Sequence, residues 1–469
     1  QEKSEIRYYQ EIAINNALTA ISNKQKRVLL TLATGSGKTV IAFHIWLGVT
    51  LSNSSQLSTI YGWSIVSMGT LLIIKFKNKY NDAANFAGYL VSLEIILRIT
   101  GASVFWEFGK YSIIMFFVIG MTLENVKYLR INILSVSYVA FLLPSIFFLA
   151  DFHGHGWSYF RKQISLNLSG PVCLFFCFLY FRNRLLSISQ IRNILKIISL
   201  PIITLCSIII YKMPPLSELS FSSEANFQMS GGYGPNQVST ILGISIIIIG
   251  VSKFLNFSLF SKYIDNLFWI FCISISFLTY ARGGVLAPFI AIGIGYYISF
   301  NQDYIKFSKI FYSLIVVTLM FYLISVFTGG SITERYKQLL EIPFRDSSQM
   351  SGRTLIMALD YKIFLDHPFL GVGPGGASRL RPGYGYGSVV SAHSEFTRML
   401  AEHGIFGFFS LMSLILLFLI EIKRREKIDV ILLIVFCIFS ILTMFHSAFR
   451  LAAPGYIYGL AYIFIIRKS

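Results

Sequence analysis

The sequence predicts an all-α protein, a polytopic bundle of about 12–14 transmembrane helices with one large outer loop. Three observations carry that reading. First, 55% of the 469 residues are hydrophobic, 16% aromatic and only 13% charged, where soluble domains carry roughly a quarter charged residues. Second, the apolar residues gather into about thirteen runs of roughly 15–22 residues, most long enough to cross a hydrocarbon core as a helix. These continuous runs lack the alternation of a membrane barrel, the other fold that satisfies its backbone in lipid. Third, the net charge of +18 comes mostly from Lys and Arg in short loops that alternate along the chain, a topology signal and not a nucleic-acid surface.

The runs fall near 59–76, 84–99, 110–123, 131–150, 170–182, 192–212, 237–252, 266–280, 284–300, 308–327, 404–421, 428–446 and 452–466. Placing Lys75, Lys77 and Lys79 in the cytoplasm also places Lys127 and Arg130, then Arg182, Arg184 and Arg192, then Lys253 and Lys262, and finally Lys423, Arg424, Arg425 and Lys427 there. Segments 101–109, 151–168, 213–236, 281–283, 328–403 and 447–451 are then outside. The chain divides into 1–52, a membrane bundle over 53–327, a large outer loop over 328–403 and C-terminal membrane helices over 404–469. Cys173, Cys177, Cys206, Cys272 and Cys437 all fall inside predicted spans, without metal spacing, and read as small core residues. The polar, mixed-charge N-terminus has no signal-peptide pattern.

Residues 1–52 differ in composition from the rest of the chain. An amphipathic helix pattern leads to the apolar strand "RVLLTLA", and Gly35, Gly37, Lys38 and Thr39 of "ATGSGKT" then form a P-loop-like turn. Such a turn cradles phosphates with backbone N–H groups and Lys while Thr reaches Mg²⁺. The stretch "IRYYQEIAINNALTAISNKQKRVLLTLATGSGKTVIAF" resembles the opening of a superfamily 2 helicase motor, above all the restriction subunit of type I restriction enzymes. Residues 51–469 contain neither the acidic metal-binding motif nor the second lobe of such a motor, and a lone strand and helix cannot build the parallel sheet around a P-loop. The expectation is a vestigial fragment that binds no nucleotide.

The outer loop carries the stronger chemistry, because ionisable groups beside the membrane are functional candidates. "SGRTLIMALDYKIFLDHPFLGVGPGG" and "AHSEFTRMLAEHGIFGFF", with "WEFGKY", "LNLSGP", "GGYGPNQVST" and "TYARGG" nearer the N-terminus, resemble the O-antigen ligase and polymerase family. Ser394 stands where that family's pattern usually has Asn after the histidine. The resemblance implies an inner-membrane glycosyltransferase of surface polysaccharide biosynthesis. It would move a glycan from an undecaprenyl-pyrophosphate carrier to an acceptor hydroxyl on a glycan, lipid A core or protein, with inversion. By the same pattern Arg282 and Arg353 would grip the pyrophosphate and His393 would act as base.

The residue types permit these roles independently. The planar guanidinium pairs with phosphate oxygens. Gly283 and Gly284 would let a bulky headgroup approach the backbone beside Arg282. A helix N-terminus at 394 would keep His393 neutral, from an ordinary pKa of about 6.5. The plainer readings are an interfacial anchor for Arg282, a solvated helix residue for Arg353 and a structural cap for His393. Arg161 and Lys162, beside His153 and His155, are candidates for headgroup phosphates or a wet loop. Glu402 is a candidate substrate contact, yet Glu395, Arg398 and Glu402 at spacings of three and four read first as an ion-pair ladder. His367 reads as loop architecture. No carboxylate cluster has metal spacing, so the expectation is chemistry without metal, ATP or cofactor. Nothing separates ligase from polymerase. A reading from another class, a transporter or flippase of lipid-linked glycan, lacks the paired repeats and midplane charges such proteins show, and a P-loop ATPase fused to a membrane domain is the remaining alternative.

Overall fold

The computed structural model of the protein describes residues 38–124, 131–148, 156–221, 224–299, 304–337 and 352–466. Gly35, Gly37, His153 and His155 lie outside the described residues. In chain order the helices are α1 (Lys38–Ser52), α2 (Ser55–Phe76), α3 (Asp82–Ile99), α4 (Phe108–Leu123), α5 (Ile133–Ala140), α6 (Gly156–Phe181), α7 (Ile188–Lys212), α8 (Pro235–Phe254) and α9 (Lys262–Leu278). Next come α10 (Arg282–Ser299), α11 (Tyr304–Phe327), α12 (Ser331–Lys337), α13 (Gly352–Asp366), α14 (Gly376–Leu380), α15 (Glu395–Ile422), α16 (Lys427–Ser447) and α17 (Ala453–Leu460). Strands β1 (Leu185–Leu186) and β2 (Phe464–Ile465) pair in parallel, Leu185 opposite Phe464. The chain is thus all-α and multi-pass.

Among the described residues six helices are long and apolar enough to cross a membrane, or seven if the pair 311–327 and 331–337, bent by 120°, is one span. Further apolar helices, such as Lys38–Ser52, Phe108–Leu123 and Arg282–Ile298, are shorter. The run count of about thirteen therefore exceeds the full-length helices, for visible reasons. The run at 131–150 breaks after Ala140 into a separate 3-10 turn, Pro144–Phe148, because Pro lacks an N–H and blocks the preceding turn. The run at 452–466 yields only α17 before β2. Tyr456, Ile457, Tyr458 and Leu460 are buried, so this segment is apolar because protein surrounds it, not lipid.

Core packing joins α3 to α7, α6 to α17, and α10 to both α8 and α16. Arg184 closes the far end, donating to both carboxylate oxygens of Glu124 at 2.8 and 2.7 Å. All five cysteines are buried and free. Helix α1 packs against α7: His44 Nδ1 is hydrogen-bonded to Thr204 Oγ1 at 2.8 Å, and Ser207 Oγ donates to the Ile45 carbonyl at 2.7 Å. Lys38 and Thr39 are exposed in its first turn.

Helix α15 bends at Gly404, whose φ of 59° and ψ of −140° no side chain tolerates well. The break exposes the next turn's donor, and Ile405 N–H bonds to Pro368 O at 2.7 Å. A Cβ on Gly404 would lie 2.5 Å from the Phe369 carbonyl. Gly404→Ala is therefore expected to cost at least about 1–3 kcal/mol, read as a lower unfolding temperature in detergent. Gly293→Ala in α10, where a Cβ meets nothing within 4 Å, should be neutral or stabilising.

Candidate functional site

One end of the bundle gathers the ends of α8, α10, α12, α13 and α16 with the segment leading into α15. Pro235 opens α8, and the next residue, Asn236, accepts from Arg353 Nη2 at 2.7 Å. Arg282 is the first residue of α10, and its Nη1 donates to the Arg335 carbonyl at 3.0 Å. Arg353 is largely buried, and desolvation, with Arg335, Arg282 and Arg450 around it, pulls its guanidinium down to about 10. Four guanidinium groups thus converge, with Glu224 the one carboxylate that acts on Arg335; the surplus of positive charge has a multivalent anion as its natural complement.

His393 sits beside them. Its ring is half-buried, and its Nδ1 is buried with no hydrogen-bond partner among the described residues. Desolvation, then Arg450, Arg353 and Arg381, bring its pKa down to about 3. The imidazole is therefore neutral, as expected from the sequence, but burial and three arginines do this; the expected cause was the helix N-terminus. Ser394, the N-cap of α15, makes no capping bond, so it does not orient the histidine.

Two arginines that sequence reasoning did not single out hold the backbone just before His393. Arg450 Nη2 donates to the carbonyls of Ser391 and Ala392, at 3.3 and 2.9 Å. Arg381, fully buried, donates through Nη1 to Val390 O and holds Asp360 Oδ1 with Nε and Nη2 at 2.8 and 2.6 Å. Thr397 Oγ1 completes Asp360 at 3.0 Å. Burial holds the Asp360 carboxyl above its ordinary value, and Arg381 and Thr397 oppose that only in part. Arg450 was legible only as a lone arginine in an apolar C-terminal stretch, which is itself a functional signal.

The other candidates separate. Gly283 and Gly284 leave no room for a headgroup: a Cβ would fall 2.2 Å from the His446 ring and 2.2 Å from Ser239 Cβ. They bring α10 against α16 and α8 instead. Glu402 is buried and bonded to Arg398 Nη1 at 2.6 Å, while Glu395 takes the other side of the same guanidinium, Arg398 Nε at 3.0 Å; the ladder forms. Arg161 and Lys162 are exposed near the start of α6. Their helix meets α14, where Arg379 lies 5.2 Å from the Tyr159 ring. His367 is exposed, and its carbonyl accepts from Gly371 N–H at 3.1 Å as part of the turn. Among the described residues no three His, Cys, Asp or Glu are grouped to hold a metal.

Residues 3–83 match the family described as "Type III restriction enzyme, res subunit". Over 39 residues the chain is 62% identical to the "Type I restriction enzyme EcoAI endonuclease subunit" of Escherichia coli, a stretch that is 8% of this chain and 5% of that protein. The chain thus spans about 5% of the length of that curated relative. Residues 267–412 match the family described as "O-Antigen ligase", and they contain Arg282, Arg353, Arg381 and His393. The chain is a multi-pass membrane protein that resembles O-antigen ligase across its arginine and histidine cluster.

Proposed function

We propose that this protein transfers a glycan from an undecaprenyl-pyrophosphate carrier to an acceptor hydroxyl on the outer face of the bacterial inner membrane. The observation that carries this reading is the convergence of Arg282, Arg335, Arg353 and Arg450 beside the neutral His393, together with the O-antigen ligase match over residues 267–412, which hold all of these but Arg450. Arg353 and Arg282 grip the pyrophosphate, and guanidinium–phosphate pairs are strong and oriented. The acceptor oxygen bonds to the anomeric carbon from the face opposite the carrier, with inversion. The bond from that carbon to the pyrophosphate oxygen breaks, its electron pair leaves with the carrier, and the hydroxyl proton passes to His393.

Charge balance makes the steps cooperate. An imidazole at about 3 is a weak base at neutral pH, since a general base works best with its pKa near the working pH. Burial, the larger cause of the low His393 pKa, persists when donor binds, but the bound pyrophosphate offsets the arginine charges that add to it, so the base strengthens when donor is in place. The linkage broken is already activated, so the reaction needs neither ATP nor a metal ion.

The test is transfer by purified protein in nanodiscs, from lipid-linked glycan to acceptor, in excess chelator and without nucleotide. Product should form, and Lys38→Ala should match wild type within error. Strict dependence on ATP together with loss in Lys38→Ala would overturn the reading in favour of an ATP-driven machine. The length of the product, one attachment or a ladder, separates ligase from polymerase.

A further inference from the structure

A cavity of about 200 Å³ opens next to the arginine cluster and shares none of Arg282, Arg353 or His393. Glu94, Arg98, Phe105, Trp106 and Tyr233 are among its lining residues. Its polar part is the pair of Arg98 Nη2 and Glu94 Oε1 at 2.6 Å, with side chains only 7% and 3% exposed. Arg98 Nε is buried and has no hydrogen-bond partner among the described residues. Its rim is aromatic and open: Trp106 is 58% exposed and Phe105 49%. The Arg98 guanidinium lies 4.7 Å from the Trp106 ring centre, which steadies the indole.

An exposed aromatic plate beside a recessed charged pair is suited to one chemical class. A sugar ring has an apolar face of C–H groups that lies against an aromatic ring, and an edge of hydroxyls that pairs with carboxylate and guanidinium. The volume suits a single ring, since pockets for drug-sized ligands run to roughly 300–1,000 Å³.

The cavity is also wired to the histidine. Arg98 Nη1 donates to Gln237 Oε1 at 3.0 Å and to the Arg450 carbonyl at 2.9 Å. Arg450 in turn holds Ser391 and Ala392, the residues immediately before His393. Tyr233, on the cavity wall, interacts electrostatically with Arg450.

We propose that this cavity is the acceptor subsite, which holds the terminal sugar of the acceptor glycan on Trp106 with its hydroxyl edge toward Glu94 and Arg98. The proposal rests on the glycan-transfer reading and adds where the acceptor binds. Occupancy is communicated to His393 through Arg98 and Arg450, two hydrogen-bonded steps away.

The experiment titrates the whole chain in nanodiscs with two probes and reads binding by saturation-transfer NMR. One probe is a single repeat unit freed from the strain's own surface polysaccharide; the other is its lipid A core oligosaccharide freed from lipid. One probe should bind saturably, and its identity tells whether the acceptor sugar comes from growing glycan or from core. Trp106→Ala should weaken that binding roughly tenfold or more. Trp106→Phe, which keeps a stacking face, should retain most of it, and Trp46→Ala on α1 should change nothing. Binding by neither probe, or equal binding in wild type and Trp106→Ala, overturns the subsite. If wild type binds sugar with this Trp106 dependence yet transfers none, the subsite stands and the transfer reading falls. If transfer is intact while binding ignores Trp106, the subsite alone falls.

Discussion

His393→Ala is expected to lower glycan transfer by roughly 10²–10⁴-fold, the range for loss of a positioned general base. The protein should still fold, because His393 is half-buried in a loop and its Nδ1 makes no bond that would be lost. Expression and unfolding temperature near wild type, with surface polysaccharide absent from a complemented knockout, is the outcome that supports the assignment. Equal polysaccharide in both forms would remove His393 as base. The pH dependence is a sharper check. In the free protein the imidazole stays neutral down to about pH 3, so kcat/KM for the donor should show no acid limb near 6.5. With donor bound, neutralised arginines let the pKa rise, so the acid limb of kcat should lie at higher pH than that of kcat/KM. Coincident limbs would sink the idea that the donor activates its own base. The stability consequence has a definite sign: unfolding releases a histidine that binds a proton below about 6.5, whereas the folded one waits until about 3. This group therefore costs stability progressively as pH falls through that window.

Arg381→Met should have the largest effect on stability, about 3–5 kcal/mol, the cost of leaving one partner of a buried ion pair alone. Arg381 and Asp360 are both 0% exposed, so water cannot replace the lost guanidinium. The Val390 carbonyl loses its donor at the same time, which loosens the segment before His393. Faster hydrogen exchange over 352–394 and a lower unfolding temperature are the expected signs. The paired variant Arg381→Met with Asp360→Leu removes both charges and should recover much of the loss, as buried pairs replaced by apolar residues often do. A single variant as stable as wild type would show that the pair contributes nothing.

The membrane class and the resemblance to O-antigen ligase were legible in the linear chain, because hydropathy runs and short motifs are local properties. So was the ladder of Glu395, Arg398 and Glu402, since helix geometry alone sets their spacing. Other features escaped for identifiable reasons. Apolar runs at 131–150 and 452–466 look like spans, but Pro144 interrupts one and protein encloses the other; hydropathy does not distinguish lipid from a protein interior. Arg184 reads as a topology charge, yet it is spent on Glu124. Gly283 and Gly284 suggested space for a ligand, and helix packing fills that space with His446 and Ser239.

From sequence came the kind of molecule and its arginine and histidine candidates. Folding supplied their company. Arg98, Asn236, Arg335, Arg381 and Arg450 lie far apart in the chain and meet only because helix ends converge at one end of the bundle. The electrostatics of His393 belongs to that meeting: desolvation and neighbouring charge act through distances of a few ångströms, and those distances exist only after the helices pack.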